Sequence, residues 1–497
     1  MVCSVLCCAL FTIKLIIMPI LKPSLILQYL TIFSFIALVV LLPSVQFMPS
    51  YIIWFNDRQR LIELLLLSFV LLNYIVSSLL IKQDLLAVPK QLRHAFFILL
   101  ALASISAYFA HSPRQACIEI SVFAGLCYLS LFVAGLYKNK KFITQISYAL
   151  WTSILLYMLS FYTGYITATI FKTPLTWPFP FTGFSNIRSF NQYQLWTLGL
   201  ICLPLLAFDI KKATRICLHL ALIAWWVLLF YSASRGVLVA WLAGMLVTMV
   251  IYKKSAWSFL RLQIINLALG FCSYYLLFKV IPALNGSSLI TSNIARGTTY
   301  DRIGLWQQAL TLIGESPIFG VGPMHYAWHN NSNAHPHNSL LQLAAEFGLP
   351  ATIIILCIAG YGIYCWLKKY NANSLQANIL IVTSKLECNL AILLWFTITT
   401  NAAYSLVDGV IVTPISQVLM FTLIGVMIGL YCHSRPSLND SQLVKSQYQF
   451  RPIFAAIVLA IMVWANLPEL VKGLSGDEKG FSMGYTAAGP RFWHETK

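Results

Sequence analysis

Residues 335–367 read HPHNSLLQLAAEFGLPATIIILCIAGYGIYCWL. A polar head with two imidazoles runs straight into an apolar stretch, 340–367, long enough for a helix to cross the ~30 Å hydrocarbon core at ~1.5 Å per residue. Continuous apolar runs of this kind recur outward along the chain near residues 24–43, 61–81, 93–110, 117–137, 143–167, 190–208, 215–232, 236–252, 258–281, 389–407, 414–432 and 452–468, thirteen in all. Strands of a membrane barrel would instead alternate over about ten residues. The chain is 59% hydrophobic and 10% charged, whereas soluble domains carry ~25% charged residues. The fold class is therefore all-α, a polytopic membrane protein with about 12–13 transmembrane helices.

Basic residues set the expected orientation, because short cytoplasmic connections carry the Lys/Arg excess. Lys82, Lys90 and Arg93, then Lys138, Lys140 and Lys141, then Lys211, Lys212 and Arg215, then Lys253 and Lys254, then Lys368 and Lys369 fall in alternate connections. That face is expected to be cytoplasmic, and the net charge of +18 is attributed to topology and not to a nucleic-acid partner. Arg58 and Arg60 fall on the opposite side and are the exception. The twelve cysteines sit almost entirely within or at the ends of apolar runs and form no CxxC pair, so they read as small core residues and not as disulfides or metal ligands.

The domain organisation follows from these runs. Residues 1–23 are an uncertain N-terminal segment; 1–22 are apolar but interrupted by Lys14, and read as a helix, an uncleaved leader or sequence upstream of a start at Met18. Residues 24–281 form a bundle of helices 1–9, 282–339 a large outer loop, 340–468 helices 10–13, and 469–497 a short tail on the loop side. A loop near sixty residues long is normally functional or disordered. Its stretch TTYDRIGLWQQALTLIGESP (298–317) places Ile303, Trp306, Leu310 and Ile313 at near-helical spacing, which predicts a short amphipathic helix on the membrane surface. The following GVG (320–322) lacks the GK[ST] of a phosphate loop and reads as a turn.

Polar chemistry gathers on this side. His325, His329, His335 and His337 fall within thirteen residues. Pro336 suits a first helical turn, which puts His337 at the mouth of a helix whose Asn338, Gln342 and Glu346 recur every four residues as a stripe descending into the membrane. Glu346 in a spanning segment is expected to face a partner or a wet cavity. The companions of the HxH pair are Asn, Ser and Trp, so no metal is expected. Arg235 in YSASRGVLVAWL (231–242) stands between two apolar runs, where it can reach a lipid phosphate or hold a pyrophosphate. TGFSNIRSFNQYQLWTLGL (182–200) crowds Arg188, Asn191 and other amides at a helix entrance after the aromatic run TWPFPF, as sugar-reading groups or interfacial anchors. AYSLVDGVIVTPISQ (403–417) carries Asp408 in an Asp-Gly turn.

Together, SRG at a membrane edge, the DR…W helix ending in PIFGVGP, and HPHNSLLQLAAEFGLP before a spanning helix resemble the O-antigen ligase and O-antigen polymerase superfamily of bacterial membrane glycosyltransferases. SNIRSFNQYQLWTLGL and SLVDGVIVTPISQ look most like the pilin-type O-oligosaccharyltransferases within it. The resemblance, over roughly 180–420, implies a multi-pass enzyme of the bacterial inner membrane with its site facing the periplasm. It further implies an undecaprenyl-pyrophosphate-linked oligosaccharide as donor, a Ser/Thr hydroxyl of a pilin-like protein as acceptor, and no cofactor or metal. The superfamily's histidine maps onto His337, and its arginines onto Arg235 and Arg302, with Arg296 as the fallback for Arg302. His335, Asn338, Gln342, Glu346, Arg188, Asn191 and Asp408 are the candidate substrate-binding residues, and the choice between His335 and His337 as proton acceptor stays open. Lipid A core and a growing lipid-linked polymer are the alternative acceptors. A transporter or flippase would call for internal repeats with broken helices at mid-membrane, and the chain has no such repeat.

Overall fold

The computed structural model describes residues 23–45, 55–78, 90–137, 139, 141–173, 181, 183–184, 187–286, 299–329, 334–371, 385–433 and 450–474. The expectations for residues 1–22, Lys82, Lys138, Lys140, Arg296, most of the aromatic run and the tail beyond 474 lie outside them.

Each of the thirteen apolar runs holds helix among the described residues, which contain no strand. The helices are α1 (Pro23–Ile36), α2 (Phe55–Val76), α3 (Lys90–Phe109), α4 (Pro113–Leu136), α5 (Phe142–Ile170), α6 (Ile187–Leu198), α7 (Leu203–Ala207), α8 (Lys212–Ser232), α9 (Arg235–Tyr252), α10 (Trp257–Tyr275), α11 (Ile281–Asn285), α12 (Thr299–Glu315), α13 (Ser339–Phe347), α14 (Leu349–Lys369), α15 (Lys385–Tyr404), α16 (Pro414–His433) and α17 (Phe450–Leu474). Among the described residues, eight helical runs are long and apolar enough to cross a membrane, as befits a multi-pass membrane protein. One of them, Arg235–Leu284, holds two arms. Trp241 Nε1 donates to Gln263 Oε1 at 3.3 Å, whereas a straight helix would put those residues roughly 33 Å apart; the chain therefore reverses at Lys253–Ala256. Proline at the start of α4, α14 and α16 costs no hydrogen bond there, because first-turn amides have no helical acceptor.

The basic connections gather at one end. Trp366 Nε1 donates to the Tyr252 hydroxyl at 3.0 Å, and Tyr370 to Leu430 O at 3.0 Å. Lys369 Nζ lies 4.5 Å from the Tyr431 ring centre, so Lys253, Lys254, Lys368 and Lys369 share that end, as their sequence parity predicts. In the middle of the bundle, rings from α5, α6 and α8 pack edge and face, with Tyr157–Phe190 stacked at 5.0 Å and Phe190–Trp225 edge-on at 5.7 Å. This aromatic core fixes α6, whose first turn faces the opposite, histidine-bearing end.

Two expectations change at that end. The run 340–367 is two helices: α13 stops at Gly348, whose φ of +83° and ψ of 165° belong to a region populated almost only by glycine. The amide of Leu349 then donates to Pro317 O, and Val321 and Gly322 donate to Ala345 O and Glu346 O, so the 317–322 turn wraps the end of α13. The expected polar stripe is therefore confined to the cap, Asn338, and body of a nine-residue helix and does not descend along the spanning α14. On α12 the buried face is Leu305, Ala309 and Leu312, while Ile303 and Leu310 point outward, 47% and 57% exposed. The expected apolar stripe is thus split between two faces.

A Cβ added at Gly348 would lie 2.1 Å from Ile318 O, whereas one at Gly360 meets nothing within 4 Å. Gly348→Ala should lower stability by at least about 2 kcal/mol through backbone strain and overlap, read as a lower thermal midpoint in detergent. Gly360→Ala should leave the midpoint unchanged or raise it.

Candidate active site

The site forms where the α13 start, the α15–α16 connection, the α8–α9 turn and the start of α6 meet. Ser339 N donates to Ser405 O at 2.8 Å, which ties the entrance of α13 to the exit of α15. Trp306 Nε1 on α12 donates to Pro336 O at 3.1 Å, pinning the same segment from the loop side. Between these ties His337 adopts φ +52°, a left-handed conformation uncommon for a residue with a Cβ and kept where surrounding contacts enforce it. Helix α13 begins at Ser339 with Asn338 as its cap: Asn338 Oδ1 accepts from the amides of Leu340 and Leu341 at 3.0 and 3.1 Å.

His337 is held on both ring nitrogens. Nδ1 lies 3.2 Å from Asp408 Oδ1, and Nε2 lies 3.0 Å from Arg188 Nη1. A guanidinium only donates and a carboxylate only accepts, so the two contacts together assign the proton to Nδ1 and the lone pair to Nε2. His335 packs edge-on against His337 with ring centres 4.2 Å apart, and its Nδ1 accepts the His337 amide at 3.2 Å. The ring of His335 lies so close to residue 409 that a Cβ there would fall 2.3 Å from it, so any side chain beside Asp408 would displace that ring.

Asp408 is 1% exposed. Burial works against its charge, but the contact with His337, with Tyr404 and His335 adding to it, prevails and holds the carboxyl well below the usual carboxylate range. The Gly409 amide also donates to Oδ1 at 2.7 Å. Tyr404 in turn faces Ser234, and a Cβ on Gly236 would lie 3.3 Å from the Tyr404 ring. Arg235, between those two residues, therefore stands at the same edge, exposed at the first position of α9. Arg302 lies one turn before Trp306 on α12, half-buried, and its Nε has no hydrogen-bond partner among the described residues. Arg188 and Arg235 open α6 and α9, whose N-terminal amides add to the positive potential. The edge thus carries a positive potential.

The structure brings together His337, Asp408, Arg188 and His335, with Arg235 and Arg302 on flanking elements. Gln342 and Glu346 are buried further along α13. Gln342 Nε2 donates to Glu346 Oε2 at 3.4 Å, and Glu346 Oε1 accepts the Tyr326 amide at 3.3 Å; this pair braces the 320–326 turn. Asn191 is 1% exposed within α6. His325 lies apart, taking the Ser112 amide on Nε2 and facing Pro323 O through Nδ1. The sequence does not reveal that Asp408 and Arg188 both touch His337: they stand 71 and 149 residues away. Only the Asp-Gly turn and the polar helix entrance mark them.

The family model described as O-Antigen ligase matches residues 220–356. It supports the O-antigen ligase superfamily read from the motifs, and with it a membrane glycosyltransferase-like ligase. The matched segment holds Arg235, Arg302, His335 and His337, while Arg188 and Asp408 lie on either side of it. No curated protein matches the chain.

With the carboxyl of Asp408 held below its usual range, the stability it adds is complete above the ordinary carboxylate pKa of about 4 and is lost only as pH falls through the lower folded value. The thermal midpoint of the wild type should therefore exceed that of Asp408→Asn from neutral pH down to about pH 4 and lose the advantage only below it. An advantage already gone near about pH 6 would contradict this assignment.

Proposed function

We propose that the protein is a bacterial inner-membrane O-oligosaccharyltransferase whose site faces the periplasm. It moves a glycan from undecaprenyl pyrophosphate to a Ser or Thr hydroxyl of a pilin-like protein. In this reading 282–339 is the catalytic loop between the bundle 24–281 and the helices of 340–468. The observation that carries it is the line Asp408–His337–Arg188, an oriented imidazole whose one lone pair points at a cation.

His337 Nε2 takes the proton of the acceptor hydroxyl, because Asp408 keeps the other proton on Nδ1 and stabilises the imidazolium that forms, as the aspartate of a Ser-His-Asp triad does. His335 does not fill this role: its Nδ1 lone pair already accepts the His337 amide. The hydroxyl oxygen then bonds to the anomeric carbon as the bond from that carbon to the phosphate oxygen breaks, and the electron pair leaves on undecaprenyl pyrophosphate. A single displacement of this kind inverts the anomeric centre. Arg188, Arg235 and Arg302 bind the pyrophosphate and offset the departing charge. Arg188 cannot occupy Nε2 while that nitrogen takes a proton, so the incoming pyrophosphate draws the guanidinium away and frees the base.

Ligation to lipid A core is the second reading, favoured by the description of the family whose model matches 220–356. The test is transfer by the purified full chain from undecaprenyl-pyrophosphate oligosaccharide, with EDTA, offered a pilin-like protein and a lipid A core acceptor in parallel. His337→Ala should lower kcat by roughly 10²- to 10⁴-fold at unchanged protein level, and Arg188→Ala should raise the donor KM as well. Product on the protein supports the first reading, and product only on lipid A core supports the second. Undiminished transfer by His337→Ala overturns the mechanism for both.

A further inference from the structure

The loop that carries Asp408 is held from behind by side chains remote from the reacting groups. Three consecutive carbonyls are taken up: Val410 O by Ser416 Oγ at 2.6 Å, Ile411 O by Gln417 Nε2 at 2.8 Å, and Val412 O by Arg60 Nη2 at 3.5 Å. Within the loop, Val410 N donates to Asp408 O and Val412 N to Gly409 O, so a shift of these carbonyls moves Asp408 itself. Thr413 Oγ1 also bonds Gln192 Oε1 on α6, one turn beyond Arg188. The loop and the two partners of His337 are thus mechanically joined.

Arg60 brings a charged donor to this brace. It sits in the second turn of α2, 2% exposed, with Nη1 on Glu63 Oε2 at 2.5 Å and on Gln417 Oε1 at 3.1 Å. Glu63 is fully buried. Burying such a pair brings little net stability compared with an apolar pair of similar size. A guanidinium, however, spans two acceptors in fixed geometry, which an ammonium cannot. Here the two acceptors are the first turn of α16 and the carbonyl of Val412, and through them Arg60 sets the height of the loop.

We propose that Arg60 is a positioning residue for the transfer reaction: with Gln417 and Glu63 it holds the 408–413 loop so that Asp408 meets His337 Nδ1. The inference rests on the reading of His337 as base. It makes a spanning helix more than 340 residues away in sequence part of the catalytic apparatus.

The test uses the full chain with undecaprenyl-pyrophosphate oligosaccharide and whichever of the two acceptors the wild type uses. Variants are Arg60→Lys, the paired Arg60→Met with Glu63→Leu that removes both charges of the pair, and each of these with Asp408→Asn. Thermal midpoints and size-exclusion profiles establish the folded fraction, to which kcat is normalised. The expected result is a kcat at least tenfold lower in the paired variant, an intermediate value for Arg60→Lys, and a donor KM within twofold of wild type. Added to Asp408→Asn, the paired change should cost less than twofold more, because both act through one contact. A purely structural role would instead multiply the two losses. Wild-type kcat in the folded paired variant, or full multiplication with Asp408→Asn, overturns the proposal. If His337→Ala and Asp408→Asn themselves transfer normally, it is the reading of the base that fails.

Discussion

An ionised carboxylate buried at the end of a membrane helix persists only if something nearby repays the loss of water. At Asp408 this is done by an imidazole N–H, a backbone amide and a tyrosine neighbour, and each comes with its own scaffold. The histidine requires the loop segment 335–338 to be tied to both α12 and α15. The amide is that of residue 409, where the absence of a side chain leaves room for the His335 ring. Satisfying one charge therefore fixes where four separate segments of the chain must meet.

Electrostatics at the site are asymmetric. The negative group is enclosed and already matched, while the positive groups stand at the edge on helix N-termini. An anion approaching this edge would compete with His337 Nε2 for the Arg188 guanidinium. The charge of the interior is thus enclosed by its partners, and the positive charge of the site lies toward solvent.

Much of the fold was legible because membrane spans are long, apolar and local. The same property hid the break at Gly348: apolarity runs through it, and glycines such as Gly360 and Gly362 occur in the next helix without interrupting it. Only the contact with the 317–322 turn distinguishes one glycine from the others. On α12, apolar residues lie on two faces, and periodicity alone does not choose Leu305, Ala309 and Leu312 over Ile303 and Leu310. Arg60, which breaks the charge pattern of the connections, does so because it is packed inside the bundle against Glu63 and is not a surface charge. The place of His337 at the head of a helix was legible from its motif; its partners were not, since nothing local ties residues 188 and 408 to it.

The left-handed backbone at His337 carries one more consequence. The imidazole is aimed by the main chain as well as by its side-chain torsions, and that main-chain shape is kept by Ser405 and Trp306 from outside the segment. Freed of those two ties, the residues from 335 to 338 would relax to extended or right-handed geometry and the ring would turn elsewhere. The histidine loop is therefore not a portable module. Excised, or grafted onto another set of helices without its two anchors, it would keep its sequence and lose the direction that gives the sequence its use.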